Sequence, residues 1–214
     1  MARRGGSGLL SGDIDGDDNR DRVTIRLAPS ARASCGFFLV VETRRKTFAE
    51  RLPQSYKPPQ DLPVREWPWP EPYVALIVRL SPVGSQVVVA RWHGASVAGV
   101  SLHGIVDGRL KQLAFSPKEN SDELTLYGSL GTGVTSVRCR SGRPLTVLGK
   151  GPASASGTRW RFDRTDYRLI AGRFVRFSKR TTVAPEADVA KVSRRWRLDV
   201  EPFTGCAVAR GRRL

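Results

Sequence analysis

Apolar and polar residues alternate with a period of two along most of this chain, the spacing of strands that bury one face. Val23, Ile25 and Leu27 alternate with Thr24 and Arg26. The runs Gly36–Thr43, GFFLVVET, and Thr47–Leu52, TFAERL, follow, with the basic triplet Arg44–Lys46 as the turn between them. Tyr73–Leu80, Gln86–Trp92 and Val97–Val106 read as further strands, and Asp107-Gly108 is a strong hairpin signal before the returning Arg109–Phe115. Ser116–Glu123 is polar and reads as loop. A third set of strands runs from Leu124 through Thr135–Arg138 and Pro144–Gly149, with a small-residue turn at Gly151–Gly157. Trp160, Phe162, Tyr167, Leu169, Phe174 and Phe177 then fall in two strands broken at Ala171-Gly172. The periodicity changes only near the C-terminus. There Pro185–Arg197 fits a helix with Val189, Val192 and Trp196 on one face, or equally a strand ending at Phe203.

Three of these segments share an order: an apolar run, a small-residue turn, a strand, a basic turn and a returning strand. GRLKQLAF from Gly108 and GRFVRF from Gly172 are 64 residues apart, and the same offset backwards reaches the turn at Arg44–Lys46. A period near 60 suits four short strands, the size of a propeller blade. The fold expected is all-β: about three degenerate blades in a small or incomplete β-propeller-like stack of antiparallel sheets, with a β-sandwich as the alternative. Residues 1–11 read as a disordered Gly/Ser/Arg terminus, 12–183 as the repeat-built domain, and 184–214 as an extension ending in a basic tail. Residues 53–72 hold seven prolines, which exclude regular sheet there. Trp67 and Trp69 in that stretch read as a cover over the core or as a ligand platform.

The candidate chemistry lies just ahead of the first long strand, in Gly12–Leu27, GDIDGDDNRDRVTIRL. Asp13, Asp15, Asp17 and Asp21 stand at relative positions one, three, five and nine, with Asn19 between the last two. Carboxylates crowded this closely repel one another unless a hard divalent cation joins them, and calcium prefers six to eight oxygen ligands at roughly 2.3–2.6 Å. An EF-hand is excluded. It needs glycine at position six and glutamate at twelve, and here those are Asp18 and Thr24, with a strand following. The loop resembles the calcium loop of FG-GAP (VCBS-type) repeats, known from integrin-like β-propellers and bacterial secreted proteins. That resemblance implies side-chain ligation by Asp13, Asp15, Asp17 and Asp21 and backbone-carbonyl ligation by Asn19. It also implies a non-catalytic binding or structural module with a protein or carbohydrate ligand. The chain departs from the pattern at Asp18, where the family has glycine. Aspartate tolerates a left-handed backbone better than most residues. The resemblance is strongest over residues 12–50 and thins to pattern level through about residue 180.

Composition adds two constraints. The 214 residues carry 36 basic against 20 acidic side chains, a net charge of +16. This invites polyanion or nucleic-acid binding. The arginines, however, are dispersed, with no recognition helix, zinc finger or aromatic RNA-binding signature, so only non-specific polyanion contact is expected. Of Cys35, Cys139 and Cys206, the first two flank strands. A Cys35–Cys139 bridge leaving Cys206 odd is one arrangement, and three inert thiols the other. A calcium loop with a disulfide would suit an oxidising compartment, hence an extracellular or cell-surface location. Met1–Leu10 lacks the apolar core of a secretory leader, so either the protein stays inside the cell or the true N-terminus lies upstream, the second being the expectation here, and no stretch is apolar enough for a membrane span. No catalytic motif emerges. His93 and His103 are the only histidines, Ser96 sits in no nucleophile-elbow pattern, and Glu66, Asp107, Asp163 and Asp166 are the carboxylates a hydrolase would have to pair.

Overall fold

The computed structural model describes residues 10–29, 35–53, 72–81, 83–93, 97–116, 124–127, 134–139, 145–154, 157–198 and 203–209. The chain divides into two compact units, one of Met1–His93, Gly99–Gln112 and Val208–Leu214, the other of Gly94–Ala98 and Leu113–Ala207. Among the described residues the architecture is all-β apart from one short helix and a 3-10 turn, in three sheets of which none closes into a barrel.

The first unit opens with a four-stranded antiparallel meander: β1 (Leu10–Gly12), β2 (Asp21–Pro29), β3 (Cys35–Glu42) and β4 (Thr47–Arg51), paired in that order. Leu10 and Ser11, assigned above to a disordered terminus, instead pair with Val23 and Arg22. Leu10 packs on the core. The β3–β4 turn falls at Thr43–Lys46, where the Thr43 N–H donates to the Lys46 carbonyl and its hydroxyl oxygen accepts the N–H groups of Arg45 and Lys46. The unit's second sheet contains β5 (Tyr73–Arg79), β6 (Gln86–His93) and β7 (Val97–Val106), with β8 (Arg109–Gln112) on β7. Asp107 and Gly108 between β7 and β8 have φ of 52° and 68°, the left-handed pair that a two-residue type I′ hairpin requires. Ile14, Val23, Leu39, Val41, Leu52, Ile77, Val87 and Val89 form the core of this unit.

The second unit is built on a five-stranded sheet. It comprises β9 (Ala114–Ser116), β11 (Val134–Cys139), β12 (Leu145–Pro152), β13 (Arg159–Ile170) and β14 (Arg173–Pro185), in the order β11-β12-β13-β14-β9. The strand β10 (Leu124–Tyr127) precedes β11 in the chain. The β9 edge is parallel to β14 and the other pairs are antiparallel. Ala171 and Gly172 join β13 to β14 with φ of 46° and 76°, a second hairpin turn of the left-handed kind. After the 3-10 turn Glu186–Asp188, the open choice near the C-terminus resolves to a helix, α1 (Val189–Trp196). Val189, Val192 and Trp196 pack on Leu148, Phe162, Ala184 and Leu198, the i, i+3, i+7 face expected of a helix. Cys139 is bonded to Cys206, with an Sγ–Sγ distance of 2.07 Å, so the expected Cys35–Cys139 bridge is not the one formed. Thr204 explains the choice. It lies alongside β11, bridging to Arg138 and accepting from the Cys139 N–H, which brings the next residues to Cys139. A last strand, β15, spans Ala207–Ala209. Residues 54–71 of the Pro-rich segment, with Trp67 and Trp69, and the basic tail from residue 210 lie outside the described residues.

Candidate metal centre

The acidic stretch is the connection of the β1–β2 hairpin. Gly12 and Asp21 are opposite each other where the two strands open, so residues 13–20 form the loop. Ile14 is buried in the core of the unit and pins the loop from its middle. A second chain segment backs it. The Ser85 N–H donates to the Asp13 carbonyl at 2.7 Å, and a Cβ on Gly84 would stand 2.5 Å from the Ile14 carbonyl oxygen. Gly84 also has φ of 103°, so glycine is required there twice over, by close approach and by backbone conformation.

Within the loop the aspartates organise the backbone before any metal is considered. Asp13 Oδ1 accepts the Gly16 N–H at 2.7 Å, Asp15 Oδ1 that of Asp17 at 3.2 Å, and Asp17 Oδ1 that of Asn19 at 2.9 Å. These are side-chain turns of the kind short carboxylates favour. Asp18 has φ of 63°, so the residue that departs from the family pattern adopts the left-handed conformation for which glycine would serve. Asp21 reaches back across the hairpin, its Oδ2 accepting the N–H groups of Ile14 at 2.7 Å and Asp15 at 3.3 Å.

Asp13, Asp15 and Asp21 converge, each presenting a carboxylate oxygen within 4.8 Å of the others. The group of three does not include Asp17. Asp17 is held by Asn19, and those hydrogen bonds keep its carboxyl below the usual carboxylate range. Asp21 is 1 % exposed, and burial pushes its carboxyl up, against the pull of the two backbone donors and with the charges of Asp15 and Asp17 adding to the rise. Asp13 Oδ2 and Asp21 Oδ1 are buried with no hydrogen-bond partner. Buried oxygens of this kind carry a desolvation cost that a cation, a proton or a further hydrogen-bond donor relieves. The donor set is hard and all-oxygen, which fits calcium or magnesium better than a transition metal.

A second polar constellation, missed in the sequence, lies in the same unit. Ser101 Oγ is 2.8 Å from His103 Nε2, and His103 Nδ1 is 2.6 Å from Glu50 Oε2. Glu50 Oε1 also accepts the Gln112 N–H at 2.7 Å. A carboxylate only accepts, so Nδ1 carries the proton and, in the neutral ring, Nε2 accepts from the serine hydroxyl. The order serine, histidine, carboxylate is that of a nucleophilic triad. Ser101 and His103 are both 0 % exposed, however, and the network closes on itself as a buried, satisfied group. The i, i+2 spacing of Ser101 and His103 on one strand face was readable. Glu50, 53 residues from His103, was not.

The other sequence candidates do not assemble. Asp107 pairs with Lys111 at an exposed turn. Asp163 binds Thr181 and Arg161, whereas Asp166 binds Thr146 and Arg164, so the two carboxylates serve separate partners on β13. Ser96 and Glu66 lie outside the described residues, and His93 ends β6. No helix among the described residues is long and apolar enough to cross a membrane. No family model matches the chain, and no curated protein and no solved structure is detectably similar to it.

Proposed function

We infer that this protein is a calcium-stabilised, non-catalytic β-module of the FG-GAP (VCBS-like) kind. It acts as a binding or structural element outside the cytoplasm, on a protein or carbohydrate ligand. The observation that carries the reading is the convergence of Asp13, Asp15 and Asp21 around buried oxygens that lack partners. The ion would be structural. Asp13, Asp15 and Asp21 would hold it, with Asp17 and the Asn19 carbonyl as the further ligands the resemblance implies, and it would lock β1 to β2 so that the strand from Val23 starts in register. The four-stranded meander β1–β4 has the form of one blade and supports the propeller-like reading of the fold. The disulfide supports an oxidising compartment. The enclosure of Ser101 and His103 favours the non-catalytic reading over a hydrolase.

Calorimetry of the metal-free protein, then with calcium and with magnesium, tests the proposal. Calcium at about 100 times its Kd should add roughly 2.7 kcal/mol of stability. Magnesium should add less, because it accepts only near-octahedral geometry and gives up water reluctantly. Identical melting temperatures in calcium, magnesium and chelator would remove the reading.

A further inference from the structure

The second unit contains a cavity of about 770 Å³ between its sheet and α1, lined by five arginines: Arg138, Arg164, Arg180, Arg195 and Arg197. We propose that it is a binding site for a small ligand carrying two or more phosphate groups. The arginines come from five places in the fold. Arg138 is on β11, Arg164 on β13, Arg180 on β14, Arg195 in the last turn of α1, and Arg197 just after it. Arg197 caps the helix in a left-handed conformation, φ 51°.

The arrangement is costly without a ligand. Arg164 and Arg180 are register partners on adjacent antiparallel strands. Like charges placed directly opposite in this way are destabilising. No acidic side chain lines the cavity among the described residues. The nearby Asp166 is buried, bonded to Thr146 Oγ1 at 2.6 Å and to Arg164 Nε at 3.2 Å, so it orients Arg164 and offsets that residue's charge. The Arg138 guanidinium donates to the Trp196 carbonyl at 3.3 Å, which fixes it at the C-terminal end of α1.

The chemistry of these groups selects the ligand. A guanidinium presents a planar fork of donors that matches phosphate and carboxylate oxygens. A volume within the roughly 300–1,000 Å³ of small-molecule sites limits how many anionic groups can enter. Each terminal phosphate brings a charge of about −1.5 to −2 at neutral pH, twice that of a carboxylate. Two or three linked phosphates therefore balance the cavity better than the same number of carboxylates. Leu148, Val192 and Trp196 add an apolar wall that would take the organic part of an ester.

Titration calorimetry on the full chain tests this with inorganic triphosphate, a nucleoside triphosphate and citrate at matched ionic strength. Saturable, near-stoichiometric triphosphate binding is expected, with citrate at least tenfold weaker. Arg180→Gln and Arg195→Gln, both exposed residues, should each weaken it roughly tenfold without lowering the melting temperature. Arg45→Gln, on the exposed β3–β4 turn, should leave it unaltered. Tighter binding of the nucleoside triphosphate would support an esterified ligand using Trp196, and tighter inorganic triphosphate a free polyphosphate. No heat at about 1 mM triphosphate, citrate binding as tight as triphosphate, or equal loss in Arg45→Gln and Arg180→Gln would overturn the site.

Discussion

Asp21 is the residue on which the acidic loop turns, because its two oxygens have opposite circumstances. Oδ2 accepts two backbone N–H groups across the hairpin, and Oδ1 is buried with nothing to accept from. Burial raises its carboxyl above the ordinary value. The folded state then holds the Asp21 proton more tightly than the unfolded chain. Without metal, its contribution to stability falls as pH rises from the unfolded pKa through the raised folded one. Asp17, lowered by Asn19, has the opposite sign and loses its contribution as pH falls through its own depressed value. The proposed calcium ion would require the ionised form and should reverse the Asp21 slope. Asp21→Asn keeps an oxygen for the backbone donors and removes the charge. It should raise the melting temperature in chelator at pH 7 and lower it in calcium, and calorimetry at both conditions reads the crossing. A variant less stable in both would mean that Asp21 serves only as a hydrogen-bond acceptor. Glu50 makes a different prediction. Glu50→Ala strips acceptors from His103 Nδ1 and the Gln112 N–H, and leaving such groups unsatisfied costs about 1–3 kcal/mol, measurable by urea denaturation.

At the scale of elements, the β1–β2 hairpin holds the loop in shape from outside as well as inside. Gly84 contributes no ligand, yet Gly84→Ala would drive a Cβ into the Ile14 carbonyl and force a positive φ on alanine. That should cost about 1–3 kcal/mol and weaken calcium binding together, whereas Gly108→Ala, whose Cβ meets nothing, should leave calcium affinity intact. The Cys139–Cys206 bond spans 67 residues, and in the chain-entropy model removing it by Cys206→Ser costs roughly 4 kcal/mol in urea unfolding. These elements also mark where the sequence was readable. The turns at Arg44–Lys46, Asp107-Gly108 and Ala171-Gly172 were legible because each is decided by local backbone chemistry. The left-handed Asp18 was legible for the same reason. Val189, Val192 and Trp196 carried a helical spacing, but eight residues are too few to separate helix from strand without the surface they pack on. The cysteine partner, the approach of Gly84 and the join of Glu50 to His103 depend on contacts between distant parts of the chain. Nothing in local pattern encodes them. Leu10 was misread because a Gly/Ser/Arg-rich context hid one apolar anchor.

For the whole molecule, the charge of +16 raises the question of which anions it meets and how. Two kinds of contact differ in physics. The arginine cavity concentrates five guanidinium groups in one small volume and suits a compact anion. The remaining basic residues include Arg22 and Arg26 around Glu42, Arg161 beside Asp163 and Lys111 beside Asp107, exposed ion pairs that leave little directed field. A duplex or heparin chain would meet this dispersed surface and be held by counterion release alone, whose log–log slope on duplex DNA is near −0.9 per phosphate neutralised. Retention should therefore be clear at low salt, show no sequence preference, and vanish near 150 mM, where the Debye length is about 8 Å. Specific DNA-binding proteins keep affinities of about 10⁻⁸ M or tighter under those conditions. A gel-shift series across salt, using two unrelated duplexes and a single strand, reads the difference. The three probes should dissociate together as salt rises. One duplex surviving at physiological salt while the other is released would replace the binding-module reading with that of a sequence-selective DNA-binding protein.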